Sequence, residues 1–278
     1  MRPFLVLAAA IAAGALAVAA DSAPRPNAAG LAALHGVNFV SSCRFSHRLV
    51  DDPIVFPGRP GASHDHTFVG NTTTNAASTL ASLLAGGTTC RRSDDTAAYW
   101  VPTLLVDGRP VEPRGATVYY RRRTLDPVHA FPAGLRMIAG DAHATAPQDR
   151  RVTFWSCGHL GGVPPSAAVP TCSGDRRTGL RLHVRFPNCW DGRNLDSADH
   201  KSHMAYSERG RCPATHPVAV PALAVIFRYP TAGGPGVSLS SGGQYSGHAD
   251  FFNAWNQQAL ESLVDDCLNA LRHCGRGV

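Results

Sequence analysis

Glutamate and lysine are scarce in this chain. Only Glu112, Glu208 and Glu261 occur among its 278 residues, and Lys201 is the single lysine. Acid–base chemistry must therefore fall on aspartate and histidine, and positive charge on arginine. There is no C-x-x-C pair to open a zinc finger or knuckle. There is no G-x-S-x-G elbow, no Walker loop and no dinucleotide fingerprint, which argues against an α/β serine hydrolase, a P-loop nucleotidase and a nicotinamide enzyme. After the first twenty residues no apolar run approaches membrane-spanning length.

That first stretch, "MRPFLVLAAAIAAGALAVAA", has a basic residue, an apolar run and a small-residue site after Ala19 or Ala20. It predicts a secretory signal over 1–20. A membrane anchor is the alternative, but the run from Pro3 to Ala20 is short and alanine-rich. The expectation is a secreted protein that leaves the membrane once the signal is cut. Eight cysteines, Cys43, Cys90, Cys157, Cys172, Cys189, Cys212, Cys267 and Cys274, all follow the signal. An even number in an oxidising compartment points to as many as four disulfides. Nearest-neighbour pairs, Cys189 with Cys212 and Cys267 with Cys274, are the expected ones. The formal charge of +6 comes almost wholly from arginine. A basic surface suits acidic glycans or anionic envelopes, although an arginine-biased genome gives the same composition. The arginines are scattered and no recognition motif accompanies them, so nucleic acid is not an expected partner.

The remaining chain reads as one unit. Residues 21–35 form a polar, small-residue leader, expected to be loose, and 36–278 a single disulfide-stapled domain. "AYWVPTLLVDGRPV" predicts a strand, an Asp107-Gly108 turn and a return strand. "ATVYYRRR", "RVTFWSC" and "LRLHVRF" predict further strands, and the continuously apolar "ALAVIFRYP" a buried central one. One segment, "DFFNAWNQQALESLVDDCLNALRHC", has helical periodicity. Phe252, Trp255, Ala259, Leu263, Cys267 and Leu271 recur on one face, with Asp250 as the expected cap and Gly275 as the stop. Trp255 is expected in the core. The fold class is thus mainly β, an antiparallel sandwich or jelly-roll with one long C-terminal helix, and a monomer is expected. Two connections, from about Cys43 to Asn71 and from Pro187 to Pro221, are too long for simple turns, which marks them as functional.

The polar residues of interest lie on those connections. In "GRPGASHDHTFVGN", His64 and His66 project to one side of an extended segment. That is the geometry of an H-x-H metal pair, suited to zinc, copper, iron or nickel. A cupin would place a glutamate four or five residues after the second histidine, where Gly70 and Asn71 stand here. "PNCWDGRNLDSADHKSHMAYS" gathers Asp191, Asp196, Asp199, His200, His203 and Tyr206, without the alternating oxygens of an EF-hand. Ser46-His47, His129, Asp141, His143, Gln244, Tyr245, and His248 with Asp250 are each better read singly as structural. Asn71-Thr72-Thr73 is a formal glycosylation sequon.

The ordered motifs "SCRFSH", "HDHTFVGN", "YWVPTL", "FWSCG" and "HVRFPNCWDGRNLDSADHKSHMAY" resemble those of a domain-of-unknown-function family of secreted fungal and bacterial proteins marked by H-x-H-x-F-x-G-N. The resemblance covers about Gly36 to Tyr229 and extends to "GHADFFNAWN". It implies His64, His66, Asp191, Asp196, His200 and His203 as signature positions and an extracellular polysaccharide as partner. The leading expectation is a glycoside hydrolase, which needs a protonated acid and a carboxylate. Asp196 and Asp191 are the expected catalytic pair, with Asp65 behind them and His64 and His203 tuning a carboxyl or orienting sugar hydroxyls. His66, His200, Trp190, Tyr206, His47 and Arg193 are the expected substrate contacts. A uronate-cleaving polysaccharide lyase is the second enzymatic reading. A non-enzymatic glycan or metal binder, with an ion at His64 and His66, is the reading from another class.

Overall fold

The structure, a computed structural model, describes residue 1 and residues 28–158, 163–173 and 179–276. Residues 2–20 of the signal segment and 21–27 of the leader lie outside the described residues. In chain order the elements begin with α1 (Ala28–Ala33), β1 (Asn38–Cys43), β2 (Phe45–Leu49), β3 (His66–Gly70), α2 (Leu80–Ala85) and β4 (Ala98–Pro102). Then come β5 (Leu104–Val106), β6 (Arg109–Pro110), β7 (Gly115–Arg121), β8 (Arg136–Gly140), β9 (Thr153–Ser156) and β10 (Arg181–Arg185). The short β11 (Cys189–Trp190), β12 (Met204–Ala205) and β13 (Val218–Ala219) precede β14 (Ala222–Arg228), β15 (Val237–Leu239) and β16 (His248–Phe252). The chain closes with α3 (Gln257–Leu263), a π-helical extension (Val264–Asn269) and β17 (His273–Arg276).

Two sheets form the sandwich: a six-stranded one ordered β17-β1-β7-β14-β10-β9 and a five-stranded one ordered β2-β3-β4-β16-β8. Every pairing is antiparallel except β1 with β17. The period-two rule assigns the faces. Val118 and Tyr120 of β7, Leu182 and Val184 of β10, and Leu223, Val225 and Phe227 of β14 point inward, to meet Val69, Tyr99, Val101, Met137 and Phe251 from the opposite sheet. The expected central strand "ALAVIFR" is β14, flanked on both sides, as its continuous apolarity requires.

Strand β3 is buried along its whole length, because the five-stranded sheet is covered on its outer face as well. There Ile54, Phe68, Leu83, Ala98, Trp100, Phe252 and Ala254 form a second small core beneath the 50–65 connection and α2. Gly70 ends β3 at φ +84°, where a Cβ would stand 2.4 Å from the Ala97 carbonyl oxygen; only glycine fits this turn. Asn71 is fully buried and donates to the Leu83 and Thr96 carbonyls. Its amide is therefore committed to the fold, and the sequon serves structure.

The helix begins later than its periodicity suggests. Asp250 sits in β16, paired with Trp100 and Ile138, and the N-cap is Asn256, whose side chain accepts from the Ala259 N–H. "HADFF" can be a strand because both of its faces are buried, which erases the alternation that separates strand from helix. Trp255 is core, donating its indole N–H to the Tyr120 hydroxyl at 2.8 Å. Four disulfides join Cys43–Cys90, Cys157–Cys172, Cys189–Cys212 and Cys267–Cys274. Among the described residues no helix is long and apolar enough to cross a membrane.

Candidate metal centre and its surroundings

The outer face of the five-stranded sheet carries the even-numbered residues of β3, β4, β8 and β16. His66 and Phe68 of β3 stand opposite Pro102 and Trp100 of β4, and Asp250 of β16 stands opposite Trp100 on the other side. His248 of β16 pairs with Gly140 of β8. The register thus brings His66 and the H-x-D pair His248 and Asp250 from distant strands to one face. The 50–65 connection folds over them and supplies Asp52 and His64.

The imidazoles converge. Ring centroids are 4.1 Å apart for His64 and His66, 5.0 Å for His64 and His248, and 5.9 Å for His66 and His248. One nitrogen from each lies within 4.8 Å of the others, and His66 shares a second such group with Asp52 and Asp250. The His66 Nδ1–H donates to the Asp51 carbonyl at 3.0 Å, and the His248 Nδ1–H to the Ser246 carbonyl at 2.9 Å. A carbonyl can only accept, so the proton of each neutral ring sits on Nδ1 and the lone pair on Nε2. This backbone anchoring is the usual support for a metal-ligating imidazole. The Nε2 atoms of His64 and His66 are buried without a hydrogen-bond partner. The His248 Nε2 faces the Asp250 Oδ2 at 3.9 Å, beyond hydrogen-bond reach, and that oxygen is itself unpartnered.

Electrostatics keep the rings neutral. Burial, then the charges of His64 and His248, holds His66 far below the usual imidazole range. Burial drives His248 down to about 3 and His64, the most exposed of the three, to about 4, with His143 adding to the latter. Burial, then the Asp52 charge, pushes Asp250 well above the usual carboxylate range, and burial raises Asp52 despite N–H donors from Ile54 and Val55. Unpaired buried donors and acceptors cost about 1–3 kcal/mol each. A cluster of such lone pairs is costly to keep unless it binds something. The arrangement fits a divalent ion of the imidazole-preferring kind. A third candidate group, Cys43, Cys90 and Asp95, has no thiolate to offer, because the two cysteines form a disulfide.

Gly140 makes the fit possible from the β8 side. It has φ +87°, and a Cβ there would approach the His248 Cα to 2.9 Å and the Gly247 carbonyl oxygen to 2.5 Å. Any side chain at 140 would displace the ligand-bearing strand.

The other expected site residues have different surroundings. Asp65 turns away from its histidine neighbours into an ion pair with Arg48 at 2.7 Å. His47 uses both nitrogens, on Ser46 Oγ and the Thr74 carbonyl, and stacks on Phe68. Asp191 accepts from the N–H groups of Arg193 and Asn194 and from the Asn194 amide, closing its own loop. Trp190 donates to the Asn194 carbonyl, and the Arg193 side chain is exposed. Asp196 takes the His200 Nδ1 at 2.9 Å and Arg136 at 3.4 Å. His203 is buried, with one nitrogen on Ser197 Oγ and the other donating to the Arg136 carbonyl. Tyr206 donates its hydroxyl to the Arg185 carbonyl.

The two histidine-rich connections meet through charge. Lys201 donates to the Gly140 carbonyl at 2.8 Å, and it is near enough to act on His248 and Asp250; His200 likewise acts on Asp52. Of the residues gathered here, Asp52 carries no signal in the sequence, and His248 with Asp250 are named there but read singly as structural. The available signal was the H-x-D alternation in "GHADFF", which matches that of "SHDH".

A two-layered antiparallel sandwich with a buried three-histidine cluster under a covering connection defines the class. Residues 52–255 match the family described as Domain of unknown function (DUF1996), and the chain belongs to that family. No curated protein and no solved structure matches the chain.

Proposed function

We propose that this chain is a secreted carbohydrate-active enzyme, a hydrolase of cell-wall or extracellular polysaccharide, whose centre is a metal ion held by His64, His66 and His248. The observation that carries this reading is the convergence of three imidazoles that burial holds neutral, with the Nε2 atoms of His64 and His66 buried and unpaired. A cation held there supplies Lewis acidity and lowers the pKa of bound water. The chain's own groups do the rest. Asp250, whose unpartnered Oδ2 lies 3.9 Å from the His248 Nε2, is placed as a further donor or as an acid–base group beside the ion. His64 is the least buried of the three histidines and marks the approach for substrate.

One observation favours a second reading without metal. Asp196 holds both His200 and Arg136, and that trio could serve as the acid–base group of a conventional glycosidase.

Mass spectrometry of products from neutral and acidic polysaccharides tests both, with wild type, His64→Ala and Asp196→Asn run with and without chelator. The metal reading expects hydrolysis products that vanish with chelator or in His64→Ala and persist in Asp196→Asn. Chelator-insensitive hydrolysis lost in Asp196→Asn supports the second reading. Unsaturated products would indicate a lyase, and saturable glycan binding without products a binding module; either outcome overturns hydrolysis.

A further inference from the structure

The opposite outer face carries a second site. On β7 and β10 the odd-numbered residues point away from the core, which places Arg121 and Arg185 on the outside of the six-stranded sheet. With Arg123, Arg151, Asn188, Tyr206 and a floor that includes Ala222 and Ala224 of β14, they line a cavity of about 540 Å³. The guanidinium of Arg121 lies 4.4 Å over the Tyr119 ring, and that of Arg185 lies 4.7 Å over Phe154. Stacking holds each fork flat and leaves its N–H edges free for an oxyanion. Among the described residues no carboxylate pairs with Arg121, Arg123 or Arg185. Two carboxylates share the cavity: Asp149 is taken by Arg151 at 2.6 Å, and Glu208 is exposed. The clustered charges oppose one another. Burial, then Arg123, with Arg185 contributing, brings Arg121 down to about 10.

We propose that this cavity binds the acidic groups of an anionic polysaccharide, carboxylate or sulfate, with a sugar ring over the Ala222–Ala224 floor. The volume suits one or two sugar units. A polymer is favoured over a small anion because a second cavity of about 440 Å³ continues from it, sharing Asp149, Val152 and Tyr206. Lys201 and Gly140 line its far part, and Gly140 pairs with His248. The cavities thus track round the sheet edge from the arginines toward the histidine cluster. The identity of the polymer as a glycan rests on the reading above; the recognition of its anions rests on the arginines alone.

Calorimetric titration tests it with oligogalacturonate, its methyl ester, an alginate oligomer, a heparin oligomer and inorganic sulfate, before and after chelation. The expected result is saturable binding of at least one acidic oligomer, at least tenfold weaker in Arg121→Gln and in Arg185→Gln, with unchanged thermal unfolding. Arg109→Gln, on an exposed hairpin, should leave it unchanged. Chelation should also leave it unchanged, so a failed metal reading and a failed arginine reading give different results. The proposal is overturned if no acidic oligomer binds, if the methyl ester binds equally well, if sulfate alone binds, or if both arginine variants bind like wild type.

Discussion

Asp95 is a buried carboxyl whose cost can be read in the stability of the whole protein. It accepts the Tyr99 hydroxyl at 2.9 Å, and that hydroxyl contacts Tyr120, which takes the Trp255 indole N–H. Burial, only partly opposed by these donors and by Arg92, raises its pKa to about 7 from the model-compound value of 3.8. The folded state therefore holds a proton that the unfolded chain releases. The resulting stabilisation is complete below 3.8 and is lost as pH rises through about 7. Each unit of pH in that window removes about 1.4 kcal/mol, so the step from pH 5 to pH 7 removes roughly 2–3 kcal/mol. Asn at this position is always neutral and nearly isosteric. Urea unfolding followed by tryptophan fluorescence at pH 5, 6, 7 and 8 should show the wild type weakening relative to Asp95→Asn. Parallel pH profiles for the two proteins would refute the argument that Asp95 is held protonated by its surroundings.

Further expectations rest on other parts of the structure. Replacing Cys189 and Cys212 together by alanine removes a cross-link over 23 residues and should lower unfolding free energy by about 3 kcal/mol in chemical denaturation. Gly140→Ala must take up a left-handed backbone against the His248 strand, so its thermal midpoint should fall by an amount equivalent to at least about 1–2 kcal/mol. Asp196→Asn removes an ion pair with partly exposed Arg136 and should cost no more than about 1 kcal/mol in denaturant titration; a much larger loss would show that this trio organises the loop.

Much of the sandwich was legible because its strands obey simple patterns. "ATVYYR" and "LRLHVR" alternate, "ALAVIFR" turns Leu223, Val225 and Phe227 inward but has Ala222, Ala224 and Ile226 on its other face, and the Asp107-Gly108 turn falls between β5 and β6. The boundary at Asp250 was hidden because a strand covered on both faces loses its period. Half of the candidate centre was legible too, since His64 and His66 flank the start of β3 one residue apart and bring their rings to 4.1 Å. The other half was not. His248 reaches them only because β3 pairs with β4 and β4 with β16, and nothing local in "GHADFF" specifies that order. Asp52 is joined only by the fold of its connection. The density of polar groups in 190–206 drew attention for a real reason, but most of them hydrogen-bond within their own loop.

The central claim is the ion held by three histidines. The most direct measurement is calorimetric titration of Zn²⁺ and of Cu²⁺ into chelator-stripped protein, with His64→Ala, His248→Ala and His203→Ala alongside. The account predicts one ion per chain in the wild type and in His203→Ala, whose nitrogens are already used. It predicts affinity weaker by roughly 100-fold or more in His64→Ala and His248→Ala. No saturable binding of either ion, or binding that survives loss of His64 and of His248, would contradict it.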